Sequence, residues 1–140
     1  MSSTSKIFVN TPDAIPPLPI FSIEHFLAQA VVSNGRVYVS GNIGCDKNLK
    51  VVDGGVQAQT RTALQNMSIV LKAAGSSLEQ VVKVNIYLAN MRRDFELMNE
   101  VYAEFFKKNK MPARTCVGVA CLPMNADVEL ECIAEISSSS

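Results

Sequence analysis

Pro112-Ala-Arg-Thr-Cys-Val-Gly-Val-Ala-Cys-Leu-Pro-Met-Asn-Ala-Asp-Val-Glu-Leu-Glu-Cys-Ile133 is the stretch whose reading decides the fold. Two runs of strand character, residues 115–122 and 127–136, flank Pro123-Met124-Asn125, a cluster with turn chemistry. The spacing predicts a terminal β-hairpin. Side chains alternate in an extended chain, so Arg114, Cys116 and Gly118 share one face, and Thr115, Val117, Val119 and Cys121 share the other. On the return run Val128, Leu130, Cys132 and Ala134 make an apolar face, while Glu129, Glu131 and Glu135 point oppositely. Two readings follow. The arginine and a glutamate form an ordinary surface ion pair, worth little to stability, or they line one cleft.

Working back along the chain, residues 81–88 are rich in β-branched residues and read as a strand. Asp94 is placed at the start of the following helix, where a negative charge suits the dipole, with Lys107, Lys108 and Lys110 near its end. Phe95, Met98, Val101, Tyr102 and Phe105 form its buried stripe. A longer helix over residues 56–74 follows Gly54-Gly55 and stops at Gly75, a suitable residue beyond a helix end. Ser33-Asn34-Gly35 joins residues 27–32 to residues 36–40, and Asn-Gly between β-rich runs signals a hairpin. Residues 6–10 suit a short first strand. Pro12, Pro16, Pro17 and Pro19 impose an extended connection after it, and its apolar residues Ile15, Leu18, Ile20, Phe21 and Ile23 suit a segment laid across another surface. The order of two or three strands, helix, strand, helix and two strands predicts an α+β domain, a mixed sheet with both helices on one face. The whole chain, 1–140, is read as one domain with an N-terminal arm over residues 1–26 and a frayed tail over 137–140.

Composition narrows the functional classes. Thirteen basic and thirteen acidic residues give a formal net charge of zero, which supplies no footprint for a phosphate backbone. No apolar run approaches the roughly 20 residues of a membrane span. The first residues lack a secretory apolar region and the arginines of a mitochondrial presequence, so the expected location is the cytoplasm, with the mitochondrion as the alternative. Cys45, Cys116, Cys121 and Cys132 lack metal-ligand spacing, and no metal or organic cofactor is expected. Cys121 and Cys132 are expected to be small buried hydrophobes. Cys116 is different, because a cation on the same face would lower its pKa and raise its thiolate fraction.

Pro112-Ala113-Arg114-Thr115-Cys116-Val117, then Leu122-Pro123 and Val128-Glu129-Leu130-Glu131, resembles the signature of the RidA/YjgF family of reactive-intermediate (enamine/imine) deaminases. Tyr38-Val39-Ser40-Gly41, Gln57-Ala58-Gln59-Thr60, Ala73-Ala74-Gly75, Val82-Lys83-Val84 and the run from Asn99 to Phe106 agree with it. The resemblance spans about residues 29–135. It implies a chorismate-mutase-like fold that assembles as a homotrimer around a central barrel, with clefts between subunits. It also implies a small 2-imino or 2-keto acid as ligand, Arg114 as its carboxylate anchor and Glu129 as the catalytic glutamate. Ser40, the backbone around Cys116, Asn85 and Tyr87 would bind or shape the cleft.

The chemistry suits these residue types. A carboxylate is held best by the bidentate, permanently charged guanidinium of arginine, and imine hydrolysis needs a group that moves protons between water and nitrogen. One departure stands out. Family members carry Gly-Pro-Tyr-Ser-Gln-Ala before the first hairpin, whereas this chain has His25-Phe26-Leu27-Ala28-Gln29-Ala30, with Leu27 in the tyrosine's place. Asn42 also stands where the family often has glutamine. His25 is either a solvent-facing loop residue or a polar stand-in that titrates near neutral pH. The expected activity is hydrolysis of 2-aminoacrylate or 2-aminocrotonate to the 2-keto acid and ammonia. Competing readings are a non-catalytic trimer that binds small carboxylates to regulate or protect other proteins, and a relative recruited to another imine in a specialised pathway. A third, the ribonuclease label attached to the family, is disfavoured by the neutral charge.

Overall fold

Asn34 and Gly35 both adopt positive φ, 52° and 77°, as a two-residue hairpin turn that follows the strand twist requires. They join strand β2 (Ala30–Ser33) to β3 (Arg36–Ile43) in antiparallel register, and β1 (Ile7–Val9) pairs on the outside of β2. In this computed structural model residues 5–16 and 28–136 are described; His25, Leu27 and much of the N-terminal arm fall outside them.

Helix α1 (Gly55–Ala73) begins after Gly54, whose φ of 113° only glycine adopts readily. It ends in a Schellman arrangement: Gly75 at φ 85° donates to the Lys72 carbonyl and Ser76 to that of Leu71. Strand β4 (Val81–Leu88) and helix α2 (Met91–Phe105) follow. The helix starts three residues before Asp94, the start expected from charge, because the Asn90 side chain accepts from the Arg93 amide and caps it. Asp94 is buried within the first turn, gripped by the Arg93 guanidinium at 2.8 and 2.9 Å. Lys107, Lys108 and Lys110 lie beyond the helix end.

The last two strands, β5 (Ala113–Gly118) and β6 (Val128–Glu135), do not form the expected hairpin. The sheet order is β1-β2-β3-β6-β4-β5; β5 runs parallel to β4, and β6 is inserted antiparallel between β3 and β4. Burial explains the choice. Every second residue of β6 is fully apolar and buried, which suits the centre of the sheet, whereas β5 exposes most of its residues, which suits an edge. The turn at residues 123–125 therefore spans β4, with Met124 and Asn125 at positive φ.

Both helices pack on one face of this mixed sheet, as expected for the α+β class. Leu64, Met67, Val70 and Leu71 of α1 and Met98 and Tyr102 of α2 meet Val37, Val84, Ile86, Leu88, Val128, Leu130 and Ala134. Each fully buried aliphatic side chain contributes on the order of 1.5–3 kcal/mol, so this single layer carries most of the stability. The opposite face has no covering layer among the described residues, and Tyr38 and Val117 stand 44% and 42% exposed there. Part of the arm is pinned rather than free. Buried Gln29 bonds the backbone of Thr11 and Ile15, and Asn66 of α1 accepts from the Ile15 amide at 2.7 Å. Cys132 is buried as expected. Cys121 is exposed, because the strand ends at Gly118 and the alternation that would have turned it inward ends with it.

Candidate active site

Arg114 lies on the helix side of β5, because it pairs in register with Val84, whose side chain is in the core. Its Nη1 donates to Asn99 Oδ1 of α2 at 2.6 Å, and its guanidinium carbon sits 5.0 Å from the Tyr102 ring centroid and 5.8 Å from that of Phe95. Phe95, Asn99 and Tyr102 are spaced four and three residues apart, so they share one face of α2 and form a shelf for the cation. An open pocket of about 290 Å³ adjoins it, lined by Asn99, Tyr102, Ala103, Met111, Pro112 and Arg114. Among the described residues Arg114 has no carboxylate partner, which leaves its remaining N–H donors for an external anion.

Glu129 lies on the other face. It stands opposite Ile43 of β3 and Tyr87 of β4, and its carboxylate is packed against the backbone of Gly41. The ladder shifts register between Val39 and Asn42, so Gly41 sits in an irregular stretch of β3 that makes room for this group. Burial there, with the Glu131 charge beside it, pushes the Glu129 carboxyl above the usual carboxylate range. Asn85 and Tyr87 face the same way from β4 and both donate to Glu131 Oε2, at 3.0 and 3.2 Å. Burial and Glu131 in turn push the Tyr87 phenol up, so it stays a donor. Ser40 is at the exposed rim of β3, its hydroxyl donating to the Ala28 carbonyl.

The structure thus brings Glu129, Asn85 and Tyr87 together and separates them from Arg114 and Cys116. Within one chain the arginine and the glutamate do not share the cleft that the sequence suggested. They occupy opposite faces of the sheet, on strands separated by β4 and therefore by about 9–10 Å of sheet width. The expected thiolate at Cys116 is also corrected. Burial raises its pKa more than Arg114 lowers it, and its sulfur is covered by Met91 Sδ at 4.0 Å. His25 and Leu27 lie outside the described residues. Sequence reasoning missed Asn99, whose signal was a polar side chain on the flank of an apolar helical stripe. It also missed the partners of Glu131, which depend on strand pairing.

Residues 20–136 match the family described as Endoribonuclease L-PSP. The chain is a member of this family, the RidA/YjgF proteins. It is 43% identical over 135 residues to the RutC family protein UK114 of Drosophila melanogaster, covering 96% of this chain and 92% of that protein. To the 2-iminobutanoate/2-iminopropanoate deaminase of Homo sapiens it is 38% identical over 138 residues, covering 96% and 93%. The crystal structure of E. coli TdcF with bound serine matches with a TM-score of 0.79 and 32% identity, covering 94% of this chain and 99% of that one. The RidA/YjgF family therefore includes a member named for imine deamination and one seen with a small amino acid bound. In this member no helix of the described residues is long and apolar enough to cross a membrane.

Proposed function

We propose that this protein hydrolyses small 2-imino acids, and their enamine tautomers, to 2-keto acids and ammonia. The observation that carries the proposal is the Arg114 guanidinium, oriented by Asn99 and Tyr102 beside an open pocket and without a carboxylate partner among the described residues. It fits a substrate carboxylate, whose two oxygens match two guanidinium N–H groups. The names of the human relative and of the serine-bound E. coli structure support the same ligand class.

The second component is Glu129, a carboxyl that burial keeps protonated to higher pH than usual. It gives its proton to the imine nitrogen, and the resulting carboxylate takes a proton from the water that adds to the carbon. The carbinolamine collapses when the same group protonates the amine and then accepts the hydroxyl proton, so one water is consumed and one ammonia leaves. Because Arg114 and Glu129 lie on opposite faces of one chain, this reading requires a second copy to bring its Glu129 face alongside β5. A homotrimer with sites between subunits meets that requirement, and the uncovered sheet face bearing Tyr38, Val117 and Ile133 supports it.

Leu27, in place of the tyrosine that the family resemblance puts there, favours binding of small carboxylates without turnover as the second reading. The deciding assay generates 2-aminoacrylate in situ and follows its decay with and without the protein. Faster decay that disappears in Arg114→Ala supports hydrolysis; loss of one charged bidentate contact costs on the order of 2–5 kcal/mol. Decay unaffected by the wild-type protein, with saturable binding of a small 2-keto acid, supports the binding reading instead.

A further inference from the structure

Glu129 and Glu131 are next-but-one neighbours on the same face of β6, so their Cα atoms stand roughly 6.5–7 Å apart. Their surroundings treat them differently. Asn85 lies directly opposite Glu131 in the β4–β6 ladder and donates to its Oε2. Tyr87 lies opposite Glu129, yet its hydroxyl passes Glu129 by and reaches diagonally to the same Oε2 of Glu131. Two donors from one strand thus converge on one oxygen of one carboxylate. The Glu129 carboxyl receives no hydrogen bond from a described residue and rests against Gly41 instead.

We propose that Glu131 is a positioning residue for the reaction: clamped by Asn85 and Tyr87, it holds a fixed negative charge beside Glu129 and so makes Glu129 the carboxyl that carries the proton. A fixed anion disfavours a second negative charge beside it, and no donor among the described residues stabilises a charge on the Glu129 carboxyl. The other groups on this face leave the arrangement intact. Lys83, the cation of β4, turns its Nζ to Thr115 Oγ1 at 2.7 Å on β5. Arg36 and Glu135 are cross-strand neighbours at the far end of β3 and β6, and Tyr38 faces outward from β3. The two carboxyls thus differ in their partners: Glu131 accepts from two side chains of β4, and Glu129 from none among the described residues. The inference rests on the proposed deamination only for its purpose; the coupling between the two carboxyls is a property of the protein without substrate.

The test is therefore a titration. Carboxyl resonances of ¹³C-labelled glutamate are followed against pH in the wild type, in Glu131→Gln and in Glu131→Asp, with Glu129 assigned by Glu129→Gln. Glutamine keeps the acceptor for Asn85 and Tyr87 and removes only the charge, so the Glu129 midpoint should fall, and aspartate should restore part of the rise. Where imine hydrolysis is measurable, its loss on the alkaline side should move to lower pH in Glu131→Gln, because the proton leaves Glu129 earlier. An unchanged Glu129 midpoint in Glu131→Gln, with the fold intact by thermal melting, overturns the proposal whether or not the protein hydrolyses imines. A midpoint that falls while no variant hydrolyses imines upholds the coupling and removes the deaminase reading.

Discussion

Gly41→Ala is a one-methyl perturbation whose effect on chemistry should far exceed its effect on stability. A Cβ built on Gly41 would lie 2.1 Å from Glu129 Oε2 and 2.9 Å from its Cδ. The carboxylate must withdraw by about 1.3 Å or more to reach an ordinary contact of 3.4–4 Å. Gly41 is not among the residues with positive φ, so alanine fits the backbone itself. The three nearest atoms all belong to the end of one flexible side chain, which a rotamer adjustment of about 0.5–1.5 kcal/mol moves aside. A 1 Å misplacement of a reacting group, by contrast, costs up to about 10²-fold in rate. The expected outcome is a melting temperature within a few degrees of the wild type and a rate of imine decay, with 2-aminoacrylate generated in situ, reduced ten- to a hundredfold. A soluble Gly41→Ala protein with the wild-type rate would refute the placement of Glu129 at the reacting atoms.

Three further outcomes follow from other parts of the structure. Asn99→Asp should supply Arg114 with a carboxylate partner in its own chain, raising KM for the imine about tenfold or more while leaving thermal stability unchanged or improved, since a charged acceptor strengthens the bond to the guanidinium. Cys116→Ala should keep most of the imine-hydrolysis rate and cost about 1 kcal/mol of stability in denaturant titration, because its thiol is raised and covered by Met91 rather than activated. Stability should decline as pH climbs from about 9 towards 12: burial holds the Cys132 thiol at about 12 against an ordinary 9.0, so only the unfolded chain releases that proton early in the window. Denaturant midpoints across that range should show the decline, and Cys132→Val should reduce its slope.

The elements themselves were written locally. Asn34-Gly35, Gly54, Gly75 and the β-branched run of residues 81–88 specify turns, helix ends and a strand through backbone sterics and short-range periodicity, and these fell where the sequence placed them. The resemblance carried by Pro112–Val117 and Val128–Glu131 likewise named the family from residues alone. The alternation of β6, glutamate against valine, leucine, cysteine and alanine, fixed which of its sides is buried, but not which strands flank it. That choice belongs to the whole sheet: β6 has an apolar face that must be covered, β5 does not, and β4 is the strand that lies between them once α2 has folded back. From this insertion follow the separation of Arg114 from Glu129, the shelf that Asn99 and Tyr102 make for the guanidinium, and the clamp of Asn85 and Tyr87 on Glu131. Alternation along a strand is a property of one segment's backbone and is legible in it. Which residue stands across the ladder depends on pairings tens of residues apart, and only the tertiary packing decides those.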